Sequence, residues 1–100
     1  MTPNESWSFR LEDAVDRFNG SGRPRTVAGL TRTLGRPRVS IGAAAGSPGE
    51  VRITVAWELT WYQWAVPSGE REQPVAELAR GTEIEQLDAA ARQWNAKWRS

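Results

Sequence analysis

Residues 51–66, VRITVAWELTWYQWAV, constrain the fold more than any other part of the sequence. They are rich in β-branched and aromatic side chains, which favour β-strands. Apolar side chains occupy the odd positions from Val51 to Trp61, and mostly polar ones stand between them. Because alternate side chains of a strand point to opposite faces, this pattern predicts a strand with one buried face. A strand usually has about 5–6 residues, so we expect a bulge or bend between Glu58 and Thr60.

The second face of this segment also carries aromatic side chains, at Tyr62 and Trp64. One interpretation packs them beneath an N-terminal helix that contributes Leu11 and Phe18, since an aromatic residue on a strand is usually part of the core. The other interpretation leaves Tyr62 and Trp64 exposed, with Glu58 at their edge, as a binding surface for a protein partner or a second copy in a homodimer. Trp and Tyr are common at the centres of such interfaces. The sequence leaves both interpretations open.

Two neighbouring segments extend the sheet. Residues 38–45, RVSIGAAA, alternate in polarity, and the following GSPGE supplies turn residues, so a β-hairpin with residues 51–66 is expected. After a second turn at PSGE, residues 74–80 fit either a third strand or a helical turn. Pro74 favours a strand at the edge of the sheet. The sequence thus predicts an antiparallel hairpin that extends to a probable three-stranded meander.

Two helices are predicted before the sheet. In SFRLEDAVDRFNG, Ser8 is a suitable N-cap, Gly20 a suitable stop, and apolar residues recur at helical spacing between them. After GSGRPR, the segment TVAGLTRTLG predicts a shorter helix that begins at Thr26 and ends at Gly35.

A third helix is predicted at the C-terminal end of the chain. Thr82 and Glu85 have the spacing of a capping box. Apolar side chains then recur three and four residues apart, at Ile84, Leu87, Ala91, Trp94 and Trp98. This spacing predicts an amphipathic helix packed on the sheet. Residues 1–100 are therefore expected to form a single α+β domain, with an N-terminal helix, a short second helix, the meander and this last helix.

Positive charge is concentrated in residues 17–49, a third of the chain, which contain six arginines and no acidic residue. Guanidinium groups suit phosphates, so an alternative function is nucleic-acid binding. Residues 26–41 also resemble the first helix and turn of a helix-turn-helix DNA-binding unit, with Leu30, Leu34, Gly35 and Ile41 at its apolar and glycine positions. The strand interpretation of residues 38–45 competes with it and is preferred. The arginines predicted for nucleic-acid binding are Arg23, Arg25, Arg32, Arg36 and Arg38.

The reactive side chains in the sequence are too few to favour catalysis. The sequence contains no cysteine and no histidine, and Lys97 is its only lysine. No serine has a credible general base, and Glu12 and Asp16 are one helical turn apart on an expected surface, which is typical of solvated carboxylates. We therefore expect no enzyme, no cofactor and no metal.

No segment approaches the roughly 18 apolar residues of a membrane span, and no signal-peptide pattern is present, which predicts a cytoplasmic protein without membrane contact. The excess of arginine over lysine indicates a high-GC, bacterial coding background. The functional prediction is a small, tryptophan-rich, non-enzymatic protein-interaction module. It would bind a protein partner or form a homodimer through the aromatic sheet surface, with nucleic-acid binding as the alternative.

Overall fold

The fold is described from a computed structural model, which places residues 3–43, 50–67 and 75–98, with side chains from Leu11 onward. The chain begins with two helices, continues through four strands, and ends with two short 3₁₀ turns and a two-residue strand. In order, these are α1 Pro3–Asn19, α2 Arg23–Leu34, β1 Arg38–Ala43, β2 Val51–Ala56, β3 Trp61–Val66, β4 Ala76–Gly81, the turns Ile84–Gln86 and Ala90–Arg92, and β5 Ala96–Lys97.

The strands form one antiparallel sheet in the order β4-β3-β2-β1-β5. Strands β1 to β4 follow each other as a meander, with Val39 opposite Val55 and Ile53 opposite Trp64. The predicted hairpin is present, and residues 76–81 form the edge strand that was one of the two alternatives for that segment. The predicted three-stranded meander is wrong, because the meander has four strands and the sheet five. The turn residues 44–49 and Pro74 lie outside the described residues. The strand β5 returns to the outer edge of β1, which the sequence did not indicate.

The predicted long strand over residues 51–66 is wrong, because the chain reverses direction within it. The backbone N–H of Trp57 donates to the carbonyl of Thr60 at 2.8 Å, and Glu58 and Leu59 form the tip of a hairpin between β2 and β3. The bend expected between Glu58 and Thr60 lies at the correct residues, but the chain reverses its direction there instead of bending. The apolar alternation continues across this turn while the faces exchange, so Trp57 and Trp61 belong to different clusters.

The helix α1 ends at Asn19, before Gly20 as predicted, but it begins at Pro3 rather than at Ser8. The helix α2 begins at Arg23 rather than at Thr26. Gly22 precedes it in the left-handed conformation, with φ 85°, and proline fits the first turn of a helix, where its missing N–H has no intrahelical acceptor. It ends before Gly35, whose φ of 90° suits a residue without a side chain.

Both helices cover the same side of the sheet, which we call the helix face. Phe18 of α1 and Val27 of α2 are buried there against Val55 and Trp64. The rings of Phe18 and Trp64 have centroids 5.3 Å apart, and Tyr62 stacks on Trp64 at 5.6 Å. Among the described helices, neither is long and apolar enough to cross a membrane.

The opposite side, which we call the turn face, is covered by residues 82–95. The predicted C-terminal helix is wrong, since this segment contains only the two 3₁₀ turns and ends in β5. The capping box is formed by Glu83 and Gln86 around the first turn, rather than by the predicted pair. The buried cluster of this face consists of Ala56, Trp61, Leu87 and Ala91, with Ala79, Ile84 and Trp94 partly buried beside it.

Tertiary contacts of the C-terminal segment explain why its helical spacing does not produce a helix. The Asp88 carboxylate accepts from the backbone N–H of Ala91 at 2.8 Å and pairs with Arg52 of β2. The Asn95 side-chain amide bonds to both the N–H and the carbonyl of Ile41, like a residue of a neighbouring strand. Residues 96–97 are then extended, so Trp98 contacts the helix-face cluster whereas Trp94 contacts the turn-face cluster.

An ion pair on the turn face perturbs one titratable group. Arg52 donates to both oxygens of the Asp88 carboxylate, at 2.8 and 3.0 Å. These hydrogen bonds, together with the one from Ala91, favour the ionised form and lower the pKa of Asp88 below its usual value of 3.8.

Candidate binding cleft

A cleft of about 500 Å³ opens at the end of the sheet where α2, the β2–β3 hairpin and the first 3₁₀ turn meet. Buried or partly buried apolar side chains of Ala56, Trp57 and Ile84 form part of its wall, and charged side chains stand around them. The residues that line this cleft are Leu34, Arg36, Arg38, Ala56, Trp57, Glu58 and Ile84.

Two indole hydrogen bonds hold the walls of the cleft together. The Nε1 of Trp57 donates to the carbonyl of Gly35 at 2.8 Å and joins the hairpin to the end of α2. The Nε1 of Trp61 donates to the carbonyl of Glu83 at 2.9 Å and fixes the 3₁₀ turn that carries Ile84. Three segments that are distant in sequence are thus fixed around one opening.

The charged residues of the cleft are available to a ligand. Arg36, Arg38 and Glu58 are exposed, and within the described ranges none of the three takes part in an ion pair. The guanidinium of Arg38 lies 5.8 Å from the ring centroid of Trp94, a cation–π contact that positions the side chain without neutralising its charge. Each of the two guanidinium groups can therefore donate hydrogen bonds to an anionic group of a partner.

Two large apolar side chains are exposed at the same end of the molecule. Leu34, 44 % exposed, lines the cleft, and Leu59, 74 % exposed, follows Glu58 at the tip of the hairpin. Leu78 of the edge strand β4 is also 49 % exposed, but it does not line the cleft. Exposed aliphatic side chains next to unpaired arginines are typical of surfaces that bind other proteins.

Of the three residues predicted to form an aromatic partner surface, the structure keeps Tyr62 and Trp64 together on the helix face and separates Glu58 from them. Trp64 is only 1 % exposed and belongs to the core of the helix face, beneath Phe18. Tyr62 is half-buried on the same face, with the guanidinium of Arg80 5.3 Å from its ring centroid. Of the three, only Glu58 is exposed, and it lines the cleft. The burial of Trp64 agrees with the interpretation that the first helix covers the second aromatic face of the sheet.

The five arginines predicted for nucleic-acid binding also fall into separate places. Arg36 and Arg38 line the cleft, whereas Arg25 and Arg32 are exposed seven residues apart on one side of α2. Arg23 donates to the carbonyl of Val75 at 3.2 Å and joins α2 to the segment before β4. The helix-turn-helix resemblance does not extend beyond α2, because residues 38–43 pair with β2 as a strand.

Sequence analysis missed the apolar part of the cleft. The alternation in residues 51–66 predicts a buried Leu59, yet Leu59 and Leu34 are both exposed. Residues 57–60 contain no glycine, proline, asparagine or aspartate, so the sequence gives no signal for the turn that exposes Leu59. Within the described ranges, no group of three or more metal-binding side chains is present.

Comparison with known proteins adds no relative. A scan against protein-family models gives no match, and searches of the curated proteins and of the solved structures give no significant match either. The geometry and the charges of the cleft are therefore the basis for its function.

Proposed function

We propose that this chain is a small non-enzymatic protein-interaction module that binds its partner through the cleft at the end of the sheet. The observation that carries the proposal is that Arg36 and Arg38, which form no ion pair within the described ranges, line one opening together with the exposed Leu34. The exposed Leu59 follows the lining residue Glu58. The lack of histidine and cysteine in the sequence supports binding rather than catalysis.

The chemistry of the cleft favours a partner segment with one apolar side chain flanked by carboxylates. Guanidinium groups bind carboxylates through two parallel hydrogen bonds, so Arg36 and Arg38 would select acidic side chains. Leu34 and Leu59 would lose water on contact, and burying one such side chain contributes about 1.5–3 kcal/mol. Glu58 would repel a carboxylate at its own position and thereby fix the direction in which the segment binds.

Nucleic-acid binding is the second candidate, and the exposed pair Arg25 and Arg32 supports it, together with the lack of acidic residues in 17–49. Protein–nucleic acid interfaces are polar and strongly positive. An exposed Leu59 beside Glu58 fits such an interface less well than it fits a protein partner, so we place protein binding first.

Selection from a random peptide library on the folded protein tests the proposal. We expect the selected peptides to carry an apolar residue with acidic neighbours. A synthetic peptide of this kind should bind at least tenfold more weakly to Arg36→Glu and to Leu59→Ser than to the unmodified protein. Arg32→Glu and Leu78→Ser are matched controls, because these residues are also exposed but lie away from the cleft, and both variants should bind normally.

Two results would contradict protein binding at the cleft. One is equal peptide affinity in the cleft variants and the controls. The other is binding of a short single-stranded or duplex DNA whose affinity falls steeply with salt and is lost in Arg25→Glu and Arg32→Glu, which would favour the nucleic-acid alternative.

A further inference from the structure

Three positively charged residues lie side by side at the cleft, on the turn face of the sheet. Arg38 of β1 stands opposite Ala56 of β2 on one side and opposite Lys97 of β5 on the other. Opposite residues of antiparallel strands share a face, and Ala56 belongs to the turn-face cluster, so Arg38 and Lys97 lie on the turn face as well. Arg36 precedes β1 and lines the cleft together with Arg38. We call Arg36, Arg38 and Lys97 the cation cluster.

The register of β1 and β5 places two like charges directly opposite each other. Such residues have Cβ atoms about 4.5–5.5 Å apart, and like charges at these positions destabilise the strand pair. Arg38 and Lys97 are both exposed, and neither has an ion pair among the described residues. An anion bound between them would remove a repulsion that the described part of the chain leaves uncompensated.

Arg38, at the centre of the cluster, is held in position before any ligand binds. Its guanidinium lies 5.8 Å from the ring centroid of Trp94. The backbone N–H of Trp94 in turn donates to the Oγ of Ser40, two residues along β1, at 2.7 Å. A side chain that is already ordered loses less conformational entropy on binding, which favours affinity.

The local charge distinguishes between anions. Among the described residues, Glu58 is the only acidic residue that lines the cleft, so three positive charges stand against one negative charge. A carboxylate of the partner would neutralise only one of the two charges in excess. A phosphate monoester carries a charge of about −1.5 to −2 at pH 7 and has three acceptor oxygens, which matches both the excess charge and the number of cationic groups.

We propose that the partner segment bound in the cleft carries a phosphorylated side chain, whose phosphate binds the cation cluster while a neighbouring apolar side chain packs on Leu34. This inference rests on the proposed function and adds the modification that the partner carries. Arginine donates two parallel hydrogen bonds to a phosphate, and lysine supplies a point charge. Nucleic acids also present phosphates, but their interfaces are polar and strongly positive, which the exposed Leu34 and Glu58 in the same opening do not fit.

Three pools of hexapeptides, passed over the immobilised full chain, test the inference. Each pool has a fixed leucine, preceded by phosphoserine, glutamate or serine, and the other positions are random. We expect the protein to retain at least tenfold more peptide from the phosphoserine pool than from the glutamate pool, and least from the serine pool. Equal retention of the phosphoserine and glutamate pools would overturn the inference and leave the proposed function standing. Retention of none of the pools would contradict both.

Lys97→Gln separates the cation cluster from the rest of the cleft, because Lys97 does not line the cleft. This variant should weaken the binding of the retained phosphoserine peptides at least fivefold, and that of the same peptides with glutamate less than twofold. Arg32→Gln is the matched control, since it removes an exposed arginine away from the cleft, and it should change neither affinity. An unchanged melting temperature verifies that both variants are folded. Equal weakening of the two kinds of peptide by Lys97→Gln would contradict a phosphate site at the cluster.

A 5′-phosphorylated hexathymidylate is the probe for a nucleic acid. At the same salt concentration it should bind at least tenfold more weakly than the retained phosphoserine peptides, because it brings no aliphatic side chain to Leu34. Equal or tighter binding of the oligonucleotide would assign the cation cluster to a nucleic acid and overturn the inference.

Discussion

The two faces of the sheet are covered in different ways. On the helix face, α1 and α2 satisfy their own backbone hydrogen bonds, and their buried side chains, such as Phe18 and Val27, contribute apolar contacts. On the turn face, residues 82–95 have an irregular backbone and depend on particular partners in the sheet. A regular helix needs only an apolar surface to pack on, whereas an irregular cover also needs acceptors and donors for its backbone groups.

The sheet supplies those partners with polar side chains on the turn face. The Oγ of Ser40 accepts from the backbone N–H of Trp94 at 2.7 Å, which holds that residue at its positive φ of 48°. The amide of Gln63 donates to the Oγ1 of Thr54 at 3.1 Å, so both buried polar groups are satisfied. The turn face therefore contains buried polar side chains because an irregular segment covers it, whereas the buried cluster of the helix face, covered by two regular helices, is apolar.

The largest effect should come from the core of the helix face. Trp64→Ala should lower the free energy of unfolding by about 3–5 kcal/mol, because it leaves a large cavity beneath Phe18. Replacement of each tryptophan by Phe keeps an aromatic ring and removes the indole N–H, so it measures the hydrogen bond on each face. Trp61→Phe removes a hydrogen bond to Glu83 and should cost about 1 kcal/mol more than Trp64→Phe, whose indole N–H donates to no described acceptor.

Chemical denaturation of the three variants at Trp61 and Trp64 measures both differences. If the two Phe variants were equally stable, the hydrogen bond from Trp61 to Glu83 would contribute nothing to the free energy of unfolding.

The next effect concerns the edge of β1. Asn95→Ala removes two hydrogen bonds to the backbone of Ile41 and should lower the free energy of unfolding by about 1–2 kcal/mol. The amide of Ile41 should also exchange faster with solvent. Gln93→Ala is the control, because among the described residues the Gln93 side chain bonds only to the nearby carbonyl of Ala89. Equal losses in the two variants would show that Asn95 does not stabilise this edge.

The smallest effect is electrostatic. The pKa of Asp88 is lowered in the folded protein, so its ionised form stabilises the fold above its unfolded value of 3.8 and this stabilisation is lost as the pH falls through the lower folded value. Because the carboxylate is 57 % exposed, solvent screening limits the contribution to under about 1 kcal/mol.

Asp88→Asn should therefore be slightly less stable than the unmodified protein at pH 7, and this difference should shrink below pH 3.8. Melting temperatures of the two proteins across this range measure the effect. A stability difference that does not change with pH would exclude the ion pair with Arg52 as its cause.

The parts of the fold that could be predicted from the sequence are those governed by local rules. Gly20 and Gly35 mark the ends of the two helices, and the alternation in 38–43 predicts β1. The apolar spacing of 82–98 correctly selects side chains that are at least partly buried, but spacing does not fix the backbone. The conformation there is set by contacts with Arg52, Ile41 and Ser40, which are distant in sequence.

In the cleft, too, the individual charged residues could be predicted from the sequence, but their meeting in space could not. Glu58, Arg36 and Arg38 were each identified as candidate binding residues, but for two different functions. Their meeting at one opening depends on the reversal at Glu58–Leu59 and on the indole bond from Trp57 to Gly35. Neither is visible in the spacing of the residues, since the apolar alternation continues through the turn.

The pairing of β5 with β1 has a consequence for the order of folding. Strands β1 to β4 form from neighbouring hairpins, whereas Lys97 must find Arg38 across more than half of the chain. Closing so long a loop costs more entropy than closing a hairpin, so β5 should dock after the meander has formed and detach before it unfolds. Because β5 is followed by Trp98, which packs on the helix-face cluster, this edge of the core can open by local unfolding while the rest of the sheet stays intact.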